Sequence, residues 1–180
     1  MTAERSIVPM KLLARLFRSA PDPREALRPL WHRVVEISRE REWYAACGVA
    51  DTVAGRFDMI TAVLALVILR MEKDGDLARD TSLLTELFVS DMDGQLRELG
   101  VGDIVVGKKI GKLMGALGGR ITAYFGGTSN GRERMEEAVR RNVTLAEGGS
   151  APCVANKLLL VADRLGRTSG EALLAGEIAG

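Results

Sequence analysis

The sequence has few of the residues that enzymes and metalloproteins use for chemistry. Its 180 residues include one histidine, His32, and two cysteines, Cys47 and Cys153, with no Cys-x-x-Cys pair. A histidine-rich metal site is therefore excluded, and a catalytic triad would depend on His32 alone. Two cysteines are too few for a disulfide framework, and together with the absence of a secretion signal they favour a reducing compartment. We expect neither a metal nor a cofactor.

Aromatic residues and long hydrophobic runs are also scarce. Aromatic residues make up 4% of the chain, which argues against a base-stacking platform, and the net charge of +1 argues against a DNA-binding protein. The longest apolar run, from Ile60 to Leu69, is far shorter than the roughly 20 residues that cross a bilayer. We therefore expect this run to form a buried helix in one globular domain.

The N-terminus carries an amphipathic pattern from Pro9 to Arg18. Apolar and basic side chains fall on opposite helical faces, with Leu12, Leu13, Leu16 and Phe17 on one and Lys11, Arg15 and Arg18 on the other. The pattern suits an interfacial helix, a transit peptide, or a small helix that docks on the domain or frays from it. We predict that residues 1–20 form this helix or a flexible extension, with translation starting at Met1 or Met10, and that residues 21–180 form a single domain.

Apolar residues recur at helical spacing along the rest of the chain, and no stretch alternates with period two. The fold class predicted is all-α, a single-domain irregular bundle of about seven to eight helices. The first predicted helix begins after an Asp22 cap and ends at about Arg41. A last short helix is predicted to be capped by Thr168. The helices predicted between them are Glu42–Cys47, Arg56–Lys73, Arg79–Leu99, Ile104–Phe125, Arg132–Ala146 and Val154–Leu165. Loops are expected at Gly126–Gly131 and Gly148–Pro152.

Two motifs that resemble catalytic or metal sites fail on their context. Gly102–Lys108 has the spacing of a phosphate-binding loop, but Lys109 stands where the magnesium-binding Ser or Thr is required, and the segment follows a helix instead of a strand. Asp91 and Asp93 lie two residues apart, so on a helix their carboxylates point away from each other. We therefore expect no enzymatic activity.

Charge is divided between two neighbouring segments. Residues 72–103 contain nine acidic and three basic residues, whereas residues 104–132 contain no acidic residue and five basic ones. The two segments could simply attract each other. The basic, glycine-rich helix could instead contact anionic lipid headgroups, ribosomal RNA or a membrane-protein segment.

Three sequence blocks resemble the ubiquinol-cytochrome c chaperone family. They are Trp43-Tyr44 with GVADTVAGRFD at 48–58, SDMDGQLRELGVGD at 90–103, and VGKKIGKLMGALGGRITAY at 106–124. The middle block is the most specific, and the resemblance covers about Leu30 to Leu145. The chain departs from the family at Gly107, where proline is common, and at Leu117 and Gly118, near which the family has aromatic residues.

The resemblance implies a helper without enzymatic activity that binds newly made cytochrome b and promotes assembly of respiratory complex III. It implies a location in the cytoplasm at the inner membrane of a bacterium, or on the matrix side in a mitochondrion. A small protein co-chaperone, the ribosome and the anionic membrane are further partners to consider. The alternative is a lipid- or quinone-binding helical module at the membrane surface, which the basic helix and the amphipathic N-terminus also fit.

The matched blocks supply the candidate site residues. Those for client binding are Asp91, Asp93, Arg97, Gly100, Val101, Gly102, Asp103, Lys108, Lys109 and Lys112, and those of a secondary motif are Trp43, Tyr44, Asp51, Gly55, Arg56 and Phe57. Several have an alternative structural role. Gly100 and Asp103 are also typical of a left-handed helix cap and of the cap of the next helix. The turn from Asp51 to Phe57 could equally anchor the fold, with Arg56 pairing a carboxylate.

Overall fold

The structure, a computed structural model, describes residues 22–98, 100 and 103–178, and the side chains of residues 103–105 are not part of that description. The predicted N-terminal amphipathic helix therefore lies outside the described residues, as do Val101 and Gly102. Everything below refers to the described part of the chain.

This part of the chain is helical, as the apolar spacing predicts. Its eight α-helices are α1 (Arg28–Ser38), α2 (Arg41–Ala45), α3 (Val53–Glu72), α4 (Thr81–Glu98), α5 (Asp103–Asn130), α6 (Arg132–Asn142), α7 (Ala151–Arg167) and α8 (Gly170–Leu174). Short 3-10 helices at Pro23–Leu27 and Ala78–Asp80 precede α1 and α4. Among the described helices, none has the length and hydropathy needed to cross a membrane. The all-α single-domain class is confirmed.

The first predicted helix is divided in two. Asp22 caps the 3-10 helix, because its Oδ1 accepts a hydrogen bond from the backbone N–H of Arg24 at 3.0 Å. The α-helix begins only at Arg28, with Pro29 in its first turn, where the missing N–H costs no hydrogen bond. At the other end of the chain, the cap of α8 is Ser169 and not Thr168 as predicted, since the Ser169 hydroxyl accepts from the N–H of Ala172 at 3.2 Å.

The loop predicted at Gly126–Gly131 is wrong over most of its length. Helix α5 continues through Asn130 and ends before Gly131, whose φ of 87° lies in the left-handed region. Gly127 fits inside the helix because α6 lies close to it: a Cβ there would come within 2.9 Å of the Met135 Cα. The glycine thus permits two helices to approach closely and does not mark a turn.

Helix α3 is the central element, as expected. Fourteen of its 20 residues are buried, and they include the whole apolar run from Ile60 to Leu69. Its neighbours α1, α5 and α7 cover it on several sides, so most of the helix surface can be apolar and no broad polar face toward solvent is needed. The buried apolar residues form one continuous cluster from Leu27 to Ile178.

Helix α6 ends at Asn142, four residues before the predicted end, because the following chain pairs with the segment before α3. The N–H of Ala50 donates to the Thr144 carbonyl and the N–H of Ala146 donates to the Gly48 carbonyl, both at 2.9 Å. An antiparallel bridge joins these two segments as well. The backbone groups that would have continued the helix are therefore satisfied by tertiary contacts.

Cys47 and Cys153 form a disulfide, which the cysteine count did not predict. The bond links the end of the α2 region to α7 across 106 residues of sequence, with a Cα–Cα distance of 5.3 Å. It lies beside the contact between Gly48 and Gly149, where a Cβ on Gly48 would lie 2.6 Å from the Gly149 Cα. The cysteine count favours a reducing compartment, in which disulfides are rare. The disulfide between Cys47 and Cys153 is therefore a correction to the expectation that both thiols are free.

A buried ion pair joins α3 to α5. Asp58 and Arg120 form a salt bridge through the Asp58 Oδ1 and the Arg120 Nη2, and both side chains are almost fully buried. The Asp58 Oδ2 also accepts from the backbone N–H and the hydroxyl of Thr144, at 2.9 and 2.7 Å. Arg120 donates to the Asn142 carbonyl at 3.1 Å and lies over the Phe57 ring. Three segments distant in sequence thus depend on one carboxylate.

Replacing Asp58 with alanine should destabilise the protein by about 3–5 kcal/mol, because the Arg120 charge would remain buried without its partner. The matched control is Asp51→Ala, which breaks the exposed pair between Asp51 and Arg56 and should change stability little. Urea unfolding at pH 7 measures both effects. Equal losses for the two variants would contradict the role given to the buried pair.

Tyr124 supplies a second stability test. Its side chain is 0% exposed and its hydroxyl has no hydrogen-bond partner, and burial raises the pKa of this phenol. The folded state therefore retains the proton, so stability is fully present below the unfolded-state pKa of about 10 and is lost as pH rises above it.

We expect Tyr124→Phe to be as stable as the parent at pH 7, or more stable by about 1 kcal/mol, since an unsatisfied buried O–H is removed. Above pH 10 the variant should lose less stability than the parent. Urea titrations across this pH range provide the measurement. A variant that is clearly less stable at pH 7 would show that the hydroxyl has a favourable partner.

Candidate functional site

A groove with apolar and charged lining residues lies between α4 and α5, with a volume of about 620 Å³. We call it the α4–α5 groove. It is lined by Arg24, Thr85, Glu86, Val89, Ser90, Asp93, Arg97, Val106, Gly107, Ile110 and Met114.

Helical periodicity explains why these residues share one groove. Thr85, Val89, Asp93 and Arg97 recur every four residues, so they lie on one face of α4. The opposite face of α4 packs into the core through four buried residues, Leu84, Leu87, Phe88 and Met92. The side of the groove formed by α4 is therefore fixed in position by the core.

Helix α5 supplies the apolar base of the groove. Val106, Ile110 and Met114 also recur every four residues. Val106 is 2% exposed and Met114 is 37% exposed, so the base opens gradually to solvent along the helix. A surface that combines exposed apolar groups with polar edges is typical of a protein-binding site.

The charged residues at the groove edges are mostly paired. Arg97 donates to Asp93 at 2.7 Å, and Arg24 pairs with Asp22 at 2.6 Å. The hydrogen bonds from Arg24 lower the pKa of Asp22 to about 2. Glu86 lies near Arg24 and has an exposed carboxylate.

The structure places the predicted acidic residues of the middle block in different surroundings. Asp93 and Arg97 line the groove. Asp91 lies on another face of α4, where its Oδ2 accepts a hydrogen bond from the Trp31 indole N–H at 3.0 Å and so ties α1 to α4. Asp91 thus has a structural contact, and Asp93 and Arg97 are the members of this block that a partner in the groove would meet.

The turn between α4 and α5 fits the capping alternative for Gly100. This glycine has a φ of 75°, and its N–H donates to the Arg97 carbonyl at 2.9 Å, as expected for a left-handed helix cap. Helix α5 begins at Asp103, the residue predicted to cap it, and the structure does not describe its side chain.

The predicted lysines lie on α5 outside the groove. Lys108, Lys109 and Lys112 are exposed and do not line it. Gly107 and Lys108, which belong to the phosphate-loop-like motif, lie within the helix and not in a loop after a strand. This position removes the backbone geometry that phosphate binding requires.

Four glycines recur along α5 at intervals of four residues: Gly107, which lines the groove, then Gly111, Gly115 and Gly119. A Cβ built on any of them meets no heavy atom within 4 Å, so nothing in the described fold requires their small size. All four are exposed. Because glycine in a helix interior costs stability relative to alanine, these positions are candidates for contact with a partner.

The first residues of the secondary motif have structural contacts. Trp43 is 1% exposed, and its indole N–H donates to the Ile37 carbonyl at 2.6 Å. The Tyr44 hydroxyl donates to the Ser38 carbonyl at 2.9 Å, and partial burial raises the pKa of this phenol. Both aromatic residues thus hold α2 against the end of α1.

The rest of the secondary motif forms the turn into α3. The Thr52 hydroxyl caps the helix by accepting from the Gly55 N–H at 3.2 Å. Arg56 donates to Asp51 at 2.6 Å on the surface, and this bond lowers the pKa of the Asp51 carboxyl. Phe57 packs against the core. This motif is therefore separate from the α4–α5 groove and fits the anchoring alternative.

Most of the groove was not identified from sequence. Asp93 and Arg97 were predicted as site residues, and Gly107 was singled out only as a departure from the family pattern. Arg24, Glu86, Val89, Ile110 and Met114 were not. Along α4 and α5, the groove residues recur at spacings of three and four on a helix face that does not point into the core. This pattern is the same whether the face meets solvent or another helix, so it does not by itself indicate a groove.

Two further features of the described residues bear on the choice of site. No group of three or more His, Cys, Asp or Glu residues there is arranged to hold a metal ion. The larger open hollow between α5 and α6, about 980 Å³, is lined mainly by polar and small residues such as Thr122, Asn130 and Arg134. Of these surfaces, the α4–α5 groove best suits an apolar partner.

Comparisons with known proteins give one family and one related structure. The family model described as ubiquinol-cytochrome C chaperone matches residues 45–179. The crystal structure of the Cbp3 homolog from Brucella abortus is similar to this chain, with a TM-score of 0.73, 28% sequence identity and coverage of 94% of both chains. A search of the curated proteins finds no significant match.

Glycine substitutions distinguish structural glycines from the exposed glycines of α5. A Cβ at Gly55 would lie 2.0 Å from the Ala50 carbonyl oxygen, so Gly55→Ala should destabilise the protein by about 1–3 kcal/mol. Gly115→Ala meets open space and should stabilise it by about 0.5–1 kcal/mol. Thermal unfolding tests both, and a destabilising Gly115→Ala would show that α5 is more closely packed than described.

Proposed function

The chain belongs to the ubiquinol-cytochrome c chaperone family, and we propose that it assists the assembly of ubiquinol-cytochrome c reductase, respiratory complex III, by binding newly made cytochrome b. The observation that carries the proposal is the α4–α5 groove, an open apolar surface with charged edges in a chain of this family. The role requires binding and release of a client, without a catalytic step.

The groove suits an apolar helical segment of an unassembled membrane protein. Such a segment would place its side chains over Val89, Ile110 and Met114. Burying this surface would exclude water from apolar atoms on both partners, which supplies the driving force for binding. Asp93 and Arg97 at the edge would stay in contact with water and favour release over permanent burial.

The exposed glycines support the same proposal. The stripe of glycines begins at Gly107 in the groove and continues along α5 to Gly119, and small residues four apart let two helix backbones approach closely. A membrane-spanning helix of the client could therefore lie nearer to α5 than a surface with larger side chains would allow. This would compensate for the lack of a deep pocket at the groove.

The lysine side of α5 would orient the chaperone at the membrane. Lys108, Lys109 and Lys112 are exposed together, and each basic residue near an anionic surface contributes about 1 kcal/mol. We propose peripheral contact with the inner membrane on its cytoplasmic side, or on the matrix side in a mitochondrion. The same lysines could contact ribosomal RNA, and a small co-chaperone could cover part of α5.

Photo-crosslinking in cells tests the client and its position. We expect p-benzoylphenylalanine in place of Ile110 to capture cytochrome b, because Ile110 lines the groove. The matched control is the same group in place of Leu160, which is 56% exposed on α7, away from the groove. Equal capture from both positions, or capture that never includes cytochrome b, would contradict the proposal.

Vesicle binding separates this role from the alternative of a lipid- or quinone-binding module. The chaperone role predicts that Ile110→Glu abolishes the capture of cytochrome b by a crosslinking probe at Val89. It also predicts that replacing Lys108, Lys109 and Lys112 with glutamate weakens binding to anionic vesicles. A lipid-binding module predicts strong binding of the parent to protein-free vesicles, with loss of that binding in Ile110→Glu.

A further inference from the structure

We propose that the disulfide between Cys47 and Cys153 is a reversible redox site, which a dithiol reductant opens by attacking the sulfur of Cys153. Opening it loosens the chain between α6 and α7 while the rest of the fold is kept. Neither cysteine lines the α4–α5 groove, so the site is independent of the proposed function.

The two cysteines differ in their exposure. Cys47 is 1% exposed and belongs to the core, whereas Cys153 is only partly buried at the edge of the core. Thiol–disulfide exchange requires access to the sulfur that is attacked. A reductant that approaches the folded chain therefore reaches Cys153 first, and the buried Cys47 is the sulfur that leaves.

Cys153 also lies where a thiolate is stabilised. It belongs to the first turn of α7, a helix of 17 residues that begins after the Ser150 cap. The Ser150 hydroxyl accepts a hydrogen bond from the Cys153 N–H at 3.3 Å, which fixes this turn. The positive end of the helix dipole favours a negative charge there. Because this stabilises the reduced form, it makes the disulfide easier to reduce.

The exchange has two steps. In the first, a thiolate of the dithiol forms a bond to the Cys153 sulfur, the bond between the two protein sulfurs breaks, and Cys47 leaves and takes a proton from water. In the second, the other thiolate of the dithiol attacks the reductant sulfur of this mixed disulfide, and Cys153 leaves as the thiolate that the helix stabilises. Overall, the dithiol loses two electrons and two protons and becomes a disulfide, and the protein gains them as two thiols.

Backbone hydrogen bonds keep the two cysteines close after reduction. Residues 47–50 and 144–150 are joined by three such bonds of 2.9 Å, and one of them runs from the Ser150 N–H to the Cys47 carbonyl. None of the three involves sulfur. The reduced chain should therefore stay folded, with its thiols positioned to form the disulfide again.

The effect of reduction should be concentrated in residues 144–150. This segment follows α6, contains Gly148 with a φ of 76°, and contacts Asp58 through Thr144. Without the disulfide, the three backbone bonds can open locally, so amides in this segment should exchange with solvent faster while those of Ile60–Leu69 stay protected. Because the bond spans 106 residues, its loss should lower the melting temperature by roughly 5–15 °C.

Trapping of the mixed disulfide tests the site in the purified full-length chain without denaturant. The probe is a thioredoxin whose second active-site cysteine is replaced by serine, which stops the exchange after the first step, and acid quenches the reaction. We expect a covalent complex that mass spectrometry maps to the α7 peptide containing Cys153. A complex through Cys47, or none until urea unfolds the chain, would overturn the proposal.

Two matched variants compare the thiols one at a time, since both lack the disulfide. Iodoacetamide should alkylate Cys153 in Cys47→Ser several-fold faster than it alkylates Cys47 in Cys153→Ser, with circular dichroism confirming that both variants are folded. Equal rates, or a faster reaction at Cys47, would contradict the assignment of Cys153 as the attacked sulfur.

Dithiothreitol tests reversibility in the parent chain. Reduced dithiothreitol should release two thiols and speed exchange in residues 144–150, and oxidised dithiothreitol should restore both the bond and the slow exchange. Global unfolding on reduction, or thiols that do not pair again, would show a bond that serves only stability and would overturn the redox role.

Discussion

The buried pair of Asp58 and Arg120 is the constraint on which the arrangement of the helices depends. Once the core has removed water from both charges, neither can lose its partner without a large cost in stability. The carboxylate also holds the backbone of Thr144, and the guanidinium holds the carbonyl of Asn142. The pair therefore fixes α5 relative to α3 and to the chain that follows α6.

This constraint divides α5 into two parts with different roles. The half that contains Arg120 and Tyr124 carries two buried side chains and the ion pair to Asp58, whereas most residues from Gly107 to Met114 are exposed. The proposed binding role needs both properties, because a surface that holds an apolar partner must be accessible and also fixed in position. The family resemblance therefore covers residues of two kinds, those that fix the fold and those that could contact a client.

Sequence alone predicted the elements whose signals are local. The apolar run at Ile60–Leu69 predicted a buried central helix, and the Asp22 cap predicted a helical start, because both depend on neighbouring residues. The pairing of Asp58 with Arg120 and the disulfide connect residues 62 and 106 positions apart, and no local pattern reveals such partners. The glycines around Gly127 predict a loop, whereas the actual reason for Gly127 is the close approach of α6, a tertiary contact that no local pattern shows.

Hydrogen–deuterium exchange along α5 measures the central claim most directly, since it compares the two halves of one helix in the native protein. We expect amides from Arg120 to Gly127 to exchange only through global unfolding, and amides from Gly107 to Met114 to exchange through much less costly local opening. A bound client should slow exchange in the second range. Uniform protection along the whole helix would contradict the division into an anchored half and an accessible half.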